Sequence, residues 1–184
     1  ALQRVAQRLG PGALERLEAL GWVQSASITR RLPGEVHVHL VERRPFALWQ
    51  KNQSLVLIDR EGVVITSKNL GRFSTLPTVV GRDAPKHVAD LLDTLATEPE
   101  LYSRVAAAIR IAGRRWDIRL ANDIVIRLPE DSPALGWKRL AALQREHAIL
   151  GRDLAAIDLR LEDRLIVRLG AKAAKLRRAP GNNT

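Results

Sequence analysis

Between Glu35 and Trp49 the chain changes character, and that change limits what it can fold into. Val36, Val38 and Leu40 alternate with His37, His39 and Val41, the two-residue period of a strand. Glu42, Arg43 and Arg44 then place three charges in a row, and Pro45 fixes its own φ and disfavours helix at the residue before it. Phe46, Leu48 and Trp49 open a new apolar segment. No single strand runs through such a break. The sequence therefore predicts two units joined at Val41–Trp49, with Glu42, Arg43, Arg44 and Pro45 as the interdomain hinge that sets the angle between them.

The first unit reads as two helices and two strands. Leu2, Val5, Ala6 and Leu9 make one apolar stripe, ended by Gly10-Pro11-Gly12; Leu14, Leu17 and Leu20 make a second, ended by Gly21. Trp22 to Thr29 and Glu35 to Val41 are β-rich and flank Arg30-Arg31-Leu32-Pro33-Gly34, a turn by its Pro-Gly. Helices this short need something to pack on, and the strands supply it.

The second unit is richer in strands. Leu55–Ile58 and Val63–Ile65 flank a turn at Asp59-Arg60-Glu61-Gly62, and Leu76–Gly81 is a short extended piece. A helix is predicted from Ala84-Pro85, with Asp83 as cap and Val88, Leu91, Leu92 and Leu95 buried. Strands follow over Val105–Ala112, Trp116–Leu120 and Ile124–Leu128, then a helix from Ser132-Pro133 to about Leu150, stopped by Gly151. Ile157–Leu161 and Leu165–Leu169 flank a tight turn at Glu162-Asp163. The fold class is α+β: a small α+β domain over 1–45, a larger, mainly antiparallel β domain with two packed helices over 46–171, and a basic tail over 172–184 that should fray.

Composition and motifs say little for chemistry. With 46% apolar and 27% charged residues the chain is globular, and with 4% aromatics its core must be aliphatic. The absence of cysteine excludes disulfides, thiolate zinc sites and thiol nucleophiles. No run of about 18 apolar residues could span a bilayer. There is neither an initiator Met nor a signal peptide, so the chain reads as part of a longer protein with any targeting segment upstream. The net charge of +10 comes from 30 basic residues interleaved with 20 acids, without aromatic stacking partners; it reads as a solvated basic surface rather than a nucleic-acid interface.

His37 and His39 share a strand face but have no third metal ligand nearby, and His87 and His147 read as structural. Asp59 and Glu61 suit a hairpin turn better than paired catalytic carboxylates, and Asp158 is one polar position in a strand. No catalytic, phosphate-binding or cofactor-binding motif is present. A binding module remains. The last strand is a natural sheet edge, and an edge is a template for a partner's strand. Its alternation puts Leu165, Val167 and Leu169 toward the core and Arg164, Ile166 and Arg168 outward. An outward isoleucine between two arginines serves equally as a contact site or as charge protection of an edge.

Five motifs in order carry a resemblance: Val-Glu-Arg-x-Pro-x-Ala-x-Trp (41–49), Leu-Ile-Asp-x-x-Gly (57–62), Leu-Pro-x-x-x-Gly (76–81), Arg-Arg-Trp-Asp-Ile-x-Leu (114–120) and Ile-Asp-Leu-Arg (157–160). Together they resemble the FtsQ/DivIB family of bacterial cell division proteins, in its alphaproteobacterial branch. The resemblance implies the periplasmic part of a bitopic inner-membrane protein acting at the septum, with a POTRA domain, here lacking its first strand, followed by a β domain. It further implies a non-catalytic scaffold without cofactors that binds FtsB, in complex with FtsL, by strand addition to its last strand. The contact positions carried over are Leu161, Asp163, Arg164, Leu165, Ile166, Val167, Arg168 and Leu169, with Arg114 and Arg115 as weaker candidates facing acidic partner residues. A POTRA-bearing chaperone or secretion component is the second reading; it predicts repeated POTRA units and a barrel, and neither is visible in the sequence.

Overall fold

The computed structural model describes residues 12–31 and 35–178. The expected helix over Leu2–Leu9, the Pro33-Gly34 turn and the last residues of the tail lie outside them.

The first unit contains helix α1 (Ala13–Glu18) and strands β1 (Val23–Arg31) and β2 (Glu35–Glu42), which pair antiparallel from Val23↔Glu42 to Arg31↔Glu35. The predicted Leu14, Leu17, Leu20 stripe is corrected. Ala13 and Leu17, one turn apart, are the buried pair, whereas Leu14 is 37% and Leu20 48% exposed. Residues i and i+4 share a helix face, so in a helix of six residues Ala13 and Leu17 occupy the single face available for packing.

The second unit is built on strands β3 (Ala47–Lys51), β4 (Ser54–Ile58), β5 (Val64–Thr66), β6 (Thr78–Val80), β7 (Val105–Ile111), β8 (Arg115–Leu120), β9 (Val125–Arg127), β10 (Leu154–Asp158) and β11 (Ile166–Leu169). Among the described residues they form one sheet in the order β11-β10-β9-β8-β7-β6-β3-β4-β5. Five neighbouring pairs are antiparallel and three (β10/β9, β3/β6, β6/β7) are parallel, so the sheet is mixed though mostly antiparallel. The β3–β4 hairpin turns on Asn52 and Gln53, with φ of 47° and 66°. Positive φ at both central residues is what a twist-matched two-residue turn needs.

One face of the sheet carries helices α2 (Val88–Ala96), α3 (Pro99–Tyr102) and α4 (Pro133–His147). Val88, Leu91, Leu92 and Leu95 are all buried, as their spacing predicts. They pack with Trp137, Leu140, Ile118, Ile126 and Ile157 into the main core. Trp137 is fully buried, and its indole N–H donates to the Leu95 carbonyl at 2.9 Å, which ties α4 to α2. Asp83 does not cap α2: a 3-10 turn (Ala84–Lys86) intervenes, and the carboxylate accepts a hydrogen bond from Arg110 Nε at 3.1 Å instead. That guanidinium holds the Asp83 carboxyl below its ordinary range.

The opposite face, at the β3–β5 end, holds a smaller cluster of Leu48, Leu57 and Ile65, with Trp22, Leu70, Phe73 and Leu76 packed against it. Trp22 belongs to the first unit, so this cluster lies at the joint. The tail expected to fray over 172–184 is helical as far as it is described. Residues Ala171–Arg178 form helix α5, and the Asp153 carboxylate accepts the Ala173 N–H at 2.6 Å in its first turn.

Candidate partner-binding edge

The joint and the last strand stand at opposite ends of the sheet. Along the linker, Arg43 Nη1 donates to Asp59 Oδ2 at 2.6 Å, with the two side chains 18% and 3% exposed. The Arg43 N–H donates to the Trp22 carbonyl at 2.8 Å, and the Phe46 N–H to the Ile58 carbonyl at 2.9 Å. Asp59, expected to serve the turn, does so: its Oδ1 accepts the Val63 N–H at 2.7 Å. It also holds the linker. Glu42 and Arg44 are exposed, while Pro45 is half-buried.

At the far edge, β11 has β10 on one side and no strand on the other among the described residues. Eight inter-strand gaps of about 4.8 Å put it roughly 38 Å from β5. Asp158↔Ile166, Ile157↔Val167 and Ala156↔Arg168 pair, with an irregularity before Leu154↔Leu169. The predicted alternation is present. Leu165, Val167 and Leu169 are half-buried, Arg164 and Arg168 are exposed, and Ile166 is 52% exposed.

The approach to β11 differs from the tight turn expected at Glu162-Asp163. β10 runs over Leu154–Asp158 rather than Ile157–Leu161, and residues 159–165 form a loop that carries Leu161 and Asp163. Asp158 causes this. Its carboxylate accepts the Arg160 N–H at 3.1 Å and the same residue's Nε and Nη2 at 2.8 and 2.6 Å, which takes the Arg160 backbone out of the ladder. The Arg160 guanidinium holds the Asp158 carboxyl below its usual range against the opposing effect of burial. Arg164 Nη2 bonds Asp163 at 2.7 Å in the same loop and lowers that carboxyl likewise.

Arg114 and Arg115 come to the same region. A cleft of about 310 Å³ is lined by both of them with Arg160 and the acids Glu130, Asp131 and Glu162. Arg114 lies 3.4 Å from Glu130, and Arg115 Nε lies 3.7 Å from Asp117 Oδ1. Those two facing atoms are buried without a hydrogen-bond partner, and burial pushes the Asp117 carboxyl up. The His37 and His39 side chains are exposed on β2, and among the described residues no group of three or more His, Cys, Asp or Glu could hold a metal.

One residue at this edge has no signal in the sequence. Arg139, on α4, directs Nη1 to the carbonyl oxygens of Leu161, Glu162 and Arg164 at 3.1, 3.0 and 3.4 Å. An arginine at a polar helix position looks the same whether it meets solvent or a distant loop. Asp117 and Arg127 show only as alternating polar positions in their strands; Arg127 lies 3.5 Å from Asp158.

Comparison with known protein families matches each of the two units separately. Residues 12–43 match the model for the POTRA domain, FtsQ-type, and residues 47–160 match that for cell division protein FtsQ/DivIB, C-terminal. The chain belongs to the FtsQ/DivIB family of cell division proteins. It is 45% identical over 158 residues to cell division protein FtsQ of Rhizobium meliloti (strain 1021), covering 86% of this chain and 51% of that protein. It is 43% identical over 165 residues to FtsQ of Rhizobium radiobacter, covering 90% and 79%, and 36% identical over 154 residues to FtsQ of Caulobacter vibrioides, covering 84% and 51%. The chain thus spans about half the length of two of these three relatives. A solved structure, the major extracytoplasmic domain of DivIB from Geobacillus stearothermophilus, overlaps at a TM-score of 0.40 with 14% identity, covering 59% of this chain and 97% of that one; the likeness is too distant to bear on the fold. The family match ends at Arg160, so β11 lies beyond it.

Proposed function

We propose that this chain is a non-catalytic scaffold of the division machinery whose β11 edge takes up a strand of FtsB, in complex with FtsL. In this reading it is the periplasmic part of a single-pass inner-membrane protein at the septum, and the POTRA unit carries contacts that bring it there. The observation that carries the proposal is the state of β11. The strand ends the sheet, its inward side chains are only half-buried, and Ile166 between them is 52% exposed. An added strand would satisfy the open main-chain groups, which supply affinity, and would cover alternate side chains, which supply specificity. Arg114 and Arg115, at the nearby cleft, are the weaker candidates for meeting acidic residues that flank that strand, in a lining that also holds Glu130, Asp131 and Glu162.

Ile166→Pro tests it, because proline removes one main-chain donor and its ring obstructs a neighbouring strand. Ile166→Asp, which alters only an exposed side chain, accompanies it. With folding checked by circular dichroism, both variants should lose at least about tenfold in affinity for the periplasmic segment of FtsB, roughly 1.4 kcal/mol. Wild-type affinity in a folded Ile166→Pro protein would remove the edge from the mechanism. In cells, a fluorescent full-length fusion of the same variant tests whether FtsB still reaches the septum.

A further inference from the structure

An edge strand is a template only when its backbone is held extended and in register. β11 is four residues long, its pairing with β10 is irregular toward Leu169, and it is reached through the loop 159–165. Leu159 at one end is buried and Leu165 at the other packs on the main core, while Arg160 to Arg164 are all exposed. The middle of the loop therefore has no apolar anchor. The Asp163–Arg164 ion pair joins neighbouring residues of the same loop and fixes it to nothing else.

Arg139 supplies the missing attachment. Its Nη1 lies within hydrogen-bond distance of the carbonyls of Leu161, Glu162 and Arg164, spanning the unanchored stretch. Two N–H bonds shared among three acceptors make the contact to Arg164, at 3.4 Å, the weakest. The base of the tether is rigid, because Trp137 and Leu140 on the same helix are fully buried. Arg139 itself is half-buried, so its stem is packed while its head reaches the loop. The cation meets carbonyl dipoles, and its charge also contributes to holding Asp163 ionised.

We infer that Arg139 is a positioning residue for strand addition, holding the loop 161–164 so that β11 is presented ready to pair. The inference rests on the edge-strand reading above and names the device that preorganises that site. When only a fraction of molecules has the binding-competent loop, the apparent dissociation constant rises by the inverse of that fraction.

The test compares wild type, Arg139→Ala, Arg139→Lys and Ile166→Pro for binding to the periplasmic segment of FtsB, with melting temperature and amide hydrogen exchange measured on each free protein. Arg139→Ala should weaken binding about tenfold, mainly through slower association, with a melting temperature within a few degrees of wild type. Exchange should quicken at residues 161–166 while α4 stays protected, and Arg139→Lys should recover part of the affinity. If wild type binds, Ile166→Pro does not, and Arg139→Ala binds like wild type, Arg139 is not a positioning residue. An affinity loss that only tracks global unfolding refutes it too. If wild type does not bind, or Ile166→Pro binds equally well, it is the edge-strand reading that fails.

Discussion

Replacing Asp59 with alanine should loosen the joint between the two units, and the cost follows from its contacts. Asp59 is 2% exposed, and its two oxygens serve different units: Oδ2 accepts from Arg43 at 2.6 Å and Oδ1 from the Val63 N–H at 2.7 Å. Removing it leaves the Arg43 guanidinium, on a side chain 18% exposed, without its partner. One-sided loss of a buried pair costs about 3–5 kcal/mol, and with Arg43 partly wetted the lower figure, about 3, applies. The unsatisfied Val63 N–H adds about 1 kcal/mol. At roughly 2–4 °C per kcal/mol for a protein of this size, the melting temperature should fall by about 8–16 °C. Asp59→Asn keeps an acceptor for Val63 and should fall by less. The assay is a double-mutant cycle of Asp59→Asn with Arg43→Ala, followed by urea unfolding. A coupling of about 1.5 kcal/mol or more is expected. Additivity within about 0.5 kcal/mol would show that the pair does not hold the units together.

Three further outcomes follow from contacts elsewhere in the fold. The folded-state pKa of Asp158 is depressed, so its contribution is present above the unfolded value of about 3.9 and is lost as pH falls through the folded value. Asp158→Asn should therefore cost about 1–3 kcal/mol at pH 7, with the difference shrinking below pH 4 in thermal scans. Asp117 carries the opposite sign: burial raises its pKa, its favourable contribution is lost as pH rises, and Asp117→Asn should be neutral or stabilising at pH 7. Gly21→Ala would drive a Cβ into the Ile65 carbonyl oxygen, a backbone atom of β5 that has little room to give. Calorimetry should show a melting temperature lower by several degrees, whereas Gly71→Ala, with nothing within 4 Å, should be silent or slightly stabilising.

The relation between sequence and structure differs from one element to the next. The α2 stripe was legible because four leucines and valines at helical spacing admit one buried face. The inward–outward alternation of β11 was legible for the same reason, with a period of two. The extent of β10 was not, since Arg160 could equally continue the ladder or be drawn out of it by the carboxylate of Asp158, which ends the strand, and it is drawn out. The α1 stripe misled because a six-residue helix has room for one contact, made by Ala13 and Leu17 while Leu14 and Leu20 face solvent. Asp83 had the chemistry of a cap, but Arg110, 27 residues along the chain, is its partner.

By itself, the sequence determined that a strand-forming segment ends near Glu42, that another starts past Pro45, and that the last strand carries two unlike faces. Such features depend on neighbours a few residues apart, through backbone periods of 2 and 3.6 residues and through turn chemistry. Tertiary structure alone decided that β11 stands at the edge farthest from the joint, that Arg43 meets Asp59, and that Arg139 reaches back from α4 to the loop before β11. Those outcomes depend on strand order and helix docking, which the core sets through side chains distant in sequence. A single arginine carries no mark of which carbonyl or carboxylate the folded chain will bring to it.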